Sequence, residues 1–232
     1  VTSYLDRLIK EGTIPGIQYI VVNATSTHFQ YSGGVLDVSN PSAKVHDDSK
    51  FLSSSSTKVL TGVAIWKLRE TKKLQLDDPL SKYYSKHPYG DQVTIRHLLN
   101  HSSGVPNPIP VGWLHVGNDG STFDEDKALQ QALKDYPKLQ FTPGERYAYS
   151  NLSYWLLGKV IEEVSGLAYS EYLAREIFAP LGIADNEMTF DRTSDNTAFA
   201  RGHQERFSVL ILFFWALADR SLWDKSEGKW AR

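Results

Sequence analysis

A run of small hydroxyl residues passes into a helical pattern at Phe51-Leu-Ser-Ser-Ser-Ser-Thr-Lys58-Val-Leu-Thr-Gly-Val-Ala-Ile-Trp-Lys-Leu68. The apolar positions that recur near helical spacing are Val59, Leu60, Val63, Ala64 and Leu68. This periodicity predicts an amphipathic helix with one apolar face. Ser55 and Lys58 are three residues apart, so we expect their side chains to share one side of the first helical turn.

Ser55 and Lys58 form the S-x-x-K pattern of a serine nucleophile with a lysine base. A serine at a helix start lies near the positive end of the helix dipole, which favours negative charge on an attacked carbonyl oxygen. A desolvated lysine one turn later can take up the serine proton. The pattern is short, and Ser226-Glu-Gly-Lys229 also matches it, a match that we interpret as coincidental. On the motif alone, an N-cap serine and a solvated lysine are the commoner interpretation.

The composition indicates a globular chain without nucleic-acid or thiol chemistry. Its 232 residues are 41% hydrophobic and 12% aromatic, which is ample for a buried core. The net charge of -2 leaves no basic excess, so no nucleic-acid partner is expected. The chain has no cysteine, which excludes disulfides, thiolate catalysis and cysteine-based zinc sites. We expect no metal and no cofactor.

No targeting segment and no membrane span are expected. Residues 1–10 have an amphipathic pattern that predicts a helix rather than a signal peptide. The longest apolar run, from Phe207 to Ala218, is too short to cross a bilayer. The compartment stays open: periplasmic or secreted if Val1 follows a processed signal, and cytoplasmic otherwise.

The order of patterns predicts an N-terminal helix and β-hairpin, then a helical lobe. Residues 17–23 are rich in β-forming side chains and predict a buried strand, paired with residues 27–36, where Gly33-Gly34 indicates a bulge or bend. Helices are expected to end near Tyr84 and to occupy residues 93–104, 122–135, 154–164 and 169–179. We expect a single unit over 1–232, with the hairpin part in 1–50, the site-bearing lobe in 51–185 and an atypical tail in 186–232.

A second motif, Tyr149-Ser-Asn151, is the only Y-x-N of the chain. A tyrosine and an amide beside a serine–lysine pair would complete an acyl-transfer site. The phenol can carry a proton, and the amide can donate to a substrate carbonyl or orient the lysine. Taken alone, a core tyrosine followed by a turn-forming Ser-Asn is the commoner interpretation.

Four segments occur in an order that resembles the class C β-lactamase-related serine hydrolases. They are Ser55-Ser-Thr-Lys58, Arg96-His-Leu-Leu-Asn-His-Ser-Ser-Gly104, Phe141-Thr-Pro-Gly-Glu-Arg-Tyr-Ala-Tyr-Ser-Asn151 and Ile177-Phe-Ala-Pro-Leu-Gly182. The resemblance covers about residues 1–203. That group includes β-lactamases, D-alanyl-D-alanine carboxypeptidases and β-lactamase-like carboxylesterases. It implies an α+β fold of the β-lactamase/transpeptidase type, with an antiparallel sheet flanked by helices and a mostly helical lobe.

The resemblance also implies a role for each motif residue. Ser55 would be the acyl-accepting nucleophile, with its backbone N–H as one oxyanion donor. Lys58 would be its base, and Tyr149 the partner acid or base. Asn151 would contact substrate. His97 and His101 would pack or cap the helix–turn segment rather than bind a metal.

The sequence departs from this family after Ala200-Arg-Gly-His-Gln204. The family's third motif, K-[ST]-G or H-x-G on a late strand, is absent, and Lys225-Ser-Glu-Gly228 carries one residue too many. The C-terminal strands are therefore expected to be missing or replaced, which would cost one oxyanion donor and leave strand edges open. We expect a homo-oligomer, with domain swapping as one form, in which residues 207–218 lie at or near the interface.

These observations predict a serine hydrolase that forms an acyl-enzyme on Ser55. Small carboxylic esters are the first expected substrate class and β-lactams the second. Two alternatives stay open: a penicillin-recognising or scaffold protein with little or no turnover, and a peptidase or carboxypeptidase for D-amino-acid peptides.

Overall fold

The computed structural model describes residues 1–108, 124–184, 187–190, 199–205 and 230–231. They fall into two compact units. Among the described residues, the first unit contains 1–52, 189–190, 199–205 and 230–231, and the second contains 53–108, 124–184 and 187–188. The expected division of 1–232 after residues 50 and 185 stays a prediction, and residues 207–218 lie outside the described part.

The first unit contains the predicted helix and hairpin. Its elements are α1 (Thr2–Lys10), β1 (Gly16–Val22), β2 (Thr27–Gly34), and the short strands β3 (Gln204–Glu205) and β4 (Trp230–Ala231). β1 pairs antiparallel with β2, and β3 with β4. The hairpin turn is stabilised by Asn23, whose Oδ1 accepts from the backbone N–H groups of Thr25 and Ser26 at 2.9 and 2.8 Å. An Asn side chain that bonds the following backbone is typical of such turns.

Two details of the hairpin differ from expectation. β1 was expected to be buried, but Ile20 is 56% exposed, because among the described residues β1 pairs only with β2. The bulge lies between Val21 and Val22 rather than at the glycine pair. Gly34 instead takes φ +85°, and a Cβ there would lie 2.2 Å from the carbonyl oxygen of Pro15, so the position requires glycine.

The second unit is helical. Its elements are a 3₁₀ turn (Ser54–Ser56), α2 (Thr57–Glu70), a 3₁₀ turn (Leu80–Lys82), α3 (Ile95–Leu99), α4 (Glu125–Asp135), α5 (Asn151–Ser165), α6 (Tyr169–Leu173), a π-helical turn (Ala174–Phe178) and a last 3₁₀ turn (Ala179–Leu181). With the antiparallel hairpin of the first unit, this confirms the predicted α+β class.

Capping explains where two of these helices differ from prediction. α5 begins at Asn151 rather than Tyr154, because the Ser150 side chain caps it by accepting from the Ser153 N–H at 3.1 Å. α3 ends at Leu99 rather than near Gly104, because His101 takes a left-handed backbone conformation with φ +58°. The earlier start of α5 places Asn151 in its first turn.

The core of the second unit forms where α2, α3 and α6 pack against α5. The fully buried large side chains include Ile65, Leu68, Leu98, Leu156, Leu157, Ile161 and Leu173. The predicted apolar face of α2 is partly wrong. Val59 is 67% exposed, and the buried positions are Thr61, Ala64, Ile65 and Leu68. Both faces of this helix carry apolar residues, so periodicity alone could not choose between them.

Aromatic residues of this unit divide between core and surface. Tyr84 and Tyr89 are buried, in agreement with their interpretation as core or pocket wall. Trp66, expected in the same role, is 47% exposed beside Val59 and Val63. In the described part of the chain, no helix has the length and apolar character that a bilayer crossing requires.

Candidate active site

Ser55 lies in the middle of the 3₁₀ turn that leads into α2, with its side chain exposed. The residue before it, Ser54, has φ +45°, a conformation that costs a non-glycine residue about 1–3 kcal/mol. Backbone strain of this kind is concentrated at functional sites. The N–H groups of a first helical turn lack intrahelical acceptors, so the start of this segment presents donors and a positive dipole end.

The four predicted site residues meet in one hydrogen-bonded cluster. Ser55 Oγ lies 2.8 Å from Tyr149 Oη and 3.3 Å from Lys58 Nζ. Lys58 Nζ donates to Asn151 Oδ1 at 2.8 Å, and Tyr149 Oη donates to the same oxygen at 3.2 Å. Each of the four side chains therefore contacts at least two of the others. The residues come from the start of α2, the loop before α5 and the first turn of α5.

The hydrogen bonds indicate a direction for the serine proton. A neutral tyrosine has one hydroxyl proton, and in this cluster Tyr149 directs it toward Asn151. Ser55 then donates to Tyr149 Oη, and the same direction holds when Tyr149 is a phenolate. The arrangement can therefore move the serine proton onto the tyrosine oxygen as Oγ attacks a carbonyl carbon.

Lys58 supplies the positive charge of the cluster. Its ammonium group, followed by the Ser55 hydroxyl, lowers the pKa of the Tyr149 phenol below its ordinary value of 10.0. Lys58 Nζ also lies 5.0 and 5.5 Å from the ring centroids of Tyr149 and Tyr154. Ring faces carry partial negative charge and attract a cation at this range. A phenolate on Tyr149 is thus stabilised by a cation 5.0 Å from the centre of its ring.

A second strip of chain holds the Tyr149–Asn151 segment in place. Asn107 Oδ1 accepts from the backbone N–H of Asn151 at 2.8 Å, and Ser150 Oγ donates to the carbonyl oxygen of Pro106 at 2.9 Å. The buried hydroxyls of Ser103 and Ser153 are 3.0 Å apart. No motif in the sequence indicated a role for Asn107 or Ser103. Ser103 lies within the His101-Ser-Ser-Gly104 segment, and Asn107 follows this segment directly after Pro106; these positions were their only signal.

The two histidines of this strip pack and cap, in agreement with the sequence-based interpretation. His97 forms a capping box with Thr94 at the start of α3. The ring of His101 is buried among Tyr147, Tyr149 and Tyr154. Among the described residues, no group of three or more His, Asp or Glu side chains could hold a metal ion. The sequence positions nearest to a third motif, 225–228, lie outside the described part.

Comparison with known proteins gives the family context of this site. The family model described as Beta-lactamase matches residues 1–207. Protein flp of Staphylococcus aureus (strain MW2) is 29% identical over 230 residues, which cover 97% of this chain and 44% of that protein. The chain therefore spans less than half the length of this relative.

Solved structures agree with the sequence comparison. The octameric penicillin-binding protein homologue from Pyrococcus abyssi has a TM-score of 0.69 and 30% identity, over 88% of this chain and 47% of that one. EstCE1, described as a hydrolase with promiscuous acyltransferase activity, has a TM-score of 0.71 and 25% identity, over 87% and 55% of the two chains. These similarities confirm the predicted β-lactamase/transpeptidase-like fold. With the family model matching residues 1–207, the chain belongs to the β-lactamase family.

Proposed function

We propose that this protein is a serine hydrolase that forms an acyl-enzyme on Ser55. One observation carries the proposal: Ser55 Oγ lies within 2.8 Å of a tyrosine oxygen whose pKa is lowered by Lys58. A nucleophile in contact with a base, and a base oriented by a third group, is the arrangement that covalent catalysis requires. Asn151 is that third group, since its Oδ1 accepts from Lys58 and so holds the ammonium group beside Ser55 and Tyr149.

In the acylation half of the reaction, Ser55 Oγ attacks the carbonyl carbon of an ester while its proton passes to the Tyr149 phenolate. The tetrahedral intermediate then collapses, the bond to the alcohol breaks, and Tyr149 returns the proton to the leaving oxygen. The Ser55 backbone N–H, at the start of the helical segment, is the proposed oxyanion donor. In the second half, water attacks the acyl carbon and its proton passes to Tyr149. When the bond to Ser55 Oγ breaks, Tyr149 returns this proton to Oγ, so that the acid is released and free Ser55 and the phenolate are regenerated.

The proposed division of labour assigns the direct proton transfer to Tyr149 and the electrostatic role to Lys58. The separations of 2.8 Å and 3.3 Å from Ser55 Oγ favour this order over lysine as the immediate base. Lys58 would keep its charge throughout and stabilise the phenolate. The sequence-based proposal of Lys58 as the base is the competing assignment, and the two differ in the pH profile expected when Lys58 is replaced.

Small carboxylic esters are the proposed substrates, with β-lactams as a second class. Among the described residues, Lys58 is the only cation that forms a hydrogen bond with Ser55, and it is already bonded to Asn151. The described hydrogen-bond partners of Ser55 therefore include no second cation that a substrate carboxylate, as in a penicillin, could use. The description of EstCE1 as a hydrolase with acyltransferase activity supports an ester or acyl substrate.

The test compares hydrolysis of p-nitrophenyl acetate, p-nitrophenyl butyrate and nitrocefin by the wild type and by Ser55→Ala. We expect turnover of the esters by the wild type and loss of at least about 10³-fold in Ser55→Ala. Ser226→Ala, which removes the serine of the second S-x-x-K match, is the matched control and should keep wild-type turnover. Equal ester turnover in the wild type and Ser55→Ala would defeat the proposal.

A penicillin-recognising protein with little turnover is the second candidate, favoured by the similarity to a penicillin-binding protein homologue. Mass spectrometry after incubation with a labelled penicillin separates the two candidates. A stable adduct on Ser55 without released product favours recognition, and released product favours hydrolysis. Peptidase action on D-amino-acid peptides is the third alternative, and release of D-alanine from a D-alanyl-D-alanine peptide tests it.

A homo-oligomer, with swapping as one form, is proposed for the assembly. The support is the octameric state named for the Pyrococcus abyssi homologue and, within the second unit, the exposed apolar residues Val59, Val63 and Trp66 of α2. Residues 207–218 are the proposed interface segment. Light scattering should give a mass above one chain; a monomer at all concentrations would contradict this proposal.

A further inference from the structure

His101 occupies an unusual position beside the candidate site. It follows α3, is only 8% exposed, and takes φ +58°, which few non-glycine residues adopt. Its ring centroid lies 4.6 Å from that of Tyr149 and 5.0 Å from that of Tyr154, with Tyr147 edge-on at 5.7 Å. A strained and buried histidine packed against a proposed catalytic group calls for a physical reason beyond filling space.

The hydrogen bonds of His101 bracket Tyr149 on both sides along the chain. Its backbone carbonyl oxygen accepts from the Ala148 N–H at 2.8 Å. Its Nδ1 accepts from the Ser150 N–H at 3.2 Å. Because Nδ1 is an acceptor, the neutral ring carries its proton on Nε2. One residue therefore fixes the backbone before and after Tyr149 and also packs against its ring.

The charges around His101 favour this neutral form. Burial, and then the positive charge of Lys58, lower the pKa of His101 below its ordinary value of 6.5. Among the described residues, the titratable groups that face the ring are Lys58 from α2, Tyr147 and Tyr149 from the loop, and Tyr154 from α5. A protonated His101 would lose the Nδ1 acceptor for Ser150 and add a second positive charge near Lys58.

We propose that neutral His101 is a positioning residue, which holds Tyr149 in contact with Ser55 by fixing the backbone on both sides of it. Protonation of His101 in acid releases the Ser150 N–H and withdraws Tyr149 from Ser55. The acylation rate therefore falls at low pH as His101 becomes protonated, and we call this fall the acid limb. The inference rests on the proposed role of Tyr149 as the proton acceptor from Ser55. It adds a residue that touches neither substrate nor reacting atoms.

Two substitutions test the contributions of the Nδ1 acceptor and of the imidazole ring of His101 separately. In His101→Asn, the amide Oδ1 replaces Nδ1 at the same position along the side chain, does not titrate, and belongs to a residue type enriched at positive φ. His101→Ala removes both acceptor and ring. The matched control is His87→Asn, because His87 is also partly buried with a lowered pKa and accepts through Nδ1 from the Tyr89 N–H at 3.1 Å.

The measurement is the acylation rate of the full chain by p-nitrophenyl acetate, followed as the pre-steady-state burst over the acid range below pH about 6.5. We expect His101→Asn to keep at least about a third of the wild-type acylation rate near neutrality. In the acid limb, its rate should depend on one titrating group fewer than that of the wild type. His101→Ala should lose roughly 10–10²-fold at every pH, as misplaced catalytic groups do. Wild-type rates and an unchanged acid limb in both variants would overturn the inference, and His87→Asn should match the wild type.

NMR and absorbance measurements test the role of His101 independently of the proposed function. If wild type and Ser55→Ala turn over the ester equally, the hydrolase proposal fails, and His101 is judged by NMR and absorbance alone. We expect ¹⁵N shifts of an unprotonated Nδ1 at neutral pH, and a Tyr149 phenol pKa that rises in His101→Ala but not in His101→Asn or His87→Asn. A protonated Nδ1 at neutral pH, or a Tyr149 pKa indifferent to His101→Ala, would overturn the inference.

Discussion

Two lysines of the same helical unit, Lys58 and Lys159, lie in opposite surroundings. Lys159, in the middle of α5, is 11% exposed at its side chain and contacts carboxylates of Glu162 and Asp126 at 3.0 Å and of Glu125 at 3.6 Å. Lys58, at the start of α2, contacts the Ser55 hydroxyl, the Asn151 amide oxygen and two aromatic rings. Among the described residues, no carboxylate pairs with Lys58.

The comparison shows that the groups around a lysine decide whether its charge is neutralised within the fold or acts on a neighbouring group. Burial alone would lower the pKa of Lys159, but its hydrogen bonds to Asp126 and Glu162 outweigh burial and raise it. Its charge is neutralised within the fold and ties α4 to α5. The described hydrogen-bond partners of Lys58 are uncharged, so its field acts on the Tyr149 oxygen and on any oxyanion that develops at Ser55.

The largest expected effect comes from Lys58→Met, which removes the uncompensated charge. Acylation by p-nitrophenyl acetate should fall by roughly 10²–10⁴-fold, the range for loss of an acid–base or electrostatic group. The free energy of unfolding in urea should change by less than about 0.5 kcal/mol, as for surface substitutions. Acylation of Lys58→Met at the wild-type rate would show that the charge of Lys58, like that of Lys159, does not act on the site.

Lys159→Met is the reciprocal change and should act on stability alone. It leaves carboxylates of Glu125, Asp126 and Glu162 without their shared cation, and we expect a loss of about 1–3 kcal/mol in the free energy of unfolding. The estimate stays below that for a fully buried pair because the carboxylates are partly exposed. Urea denaturation measures the loss. An acylation rate per folded molecule more than about threefold below wild type would contradict a purely structural role.

Asn151→Asp gives Lys58 the kind of partner that Lys159 has. The new carboxylate would pair with the Lys58 ammonium and place negative charge beside the Tyr149 oxygen, which disfavours the phenolate. We expect acylation to fall by roughly tenfold or more near neutral pH, since one pKa unit is a tenfold change in population. Stability should hold or rise slightly, because a carboxylate suits the first turn of α5. Unchanged acylation at neutral pH would show that the Lys58 charge need not be free.

The smallest effect is a shift in a single titration. Because the pKa of Tyr149 is lowered mainly by Lys58, the phenolate fraction should reach its plateau at a lower pH than for an ordinary tyrosine. Acylation should therefore rise with pH, and the midpoint of this rise should lie below pH 10, the ordinary phenol value. In Lys58→Met the pKa should move back up toward that value, as measured by phenolate absorbance against Tyr149→Phe. An equal Tyr149 pKa in the wild type and in Lys58→Met would show that a group other than Lys58 lowers it.

Local sequence patterns predicted the helices and the hairpin, with several bounds displaced, and the resemblance of four ordered segments to a known family predicted the four residues of the cluster. Spacing of three brought Ser55 and Lys58 to one side of a helical start, and the ordered motifs pointed to the Tyr149 segment. The exposed apolar face of α2 was predicted wrongly, because Val59 and Val63 have the same period as the buried Ala64 and Leu68. Which face is covered depends on the partners of the helix, which periodicity does not encode.

Contacts distant along the chain were beyond prediction for a similar reason. The bonds from Asn107 and His101 to the Tyr149 segment join residues more than forty positions apart, as in the Ser150–His101 and Asn151–Asn107 pairs. Neither residue belongs to a periodic pattern. His101 also has a left-handed backbone conformation, and α3 ends before it, earlier than the sequence indicated.

The central claim is that Ser55 is acylated because Tyr149 takes its proton. The direct measurement is peptide mass mapping of the protein after brief exposure to p-nitrophenyl acetate, in the wild type, Tyr149→Phe and Tyr147→Phe. Tyr147 is the matched control, since it is also a loop tyrosine packed on His101 but is 68% exposed. We predict an acetyl group on Ser55 in the wild type and Tyr147→Phe, and its loss in Tyr149→Phe. Acetylation at another residue, or on Ser55 to the same extent in Tyr149→Phe, would contradict the account.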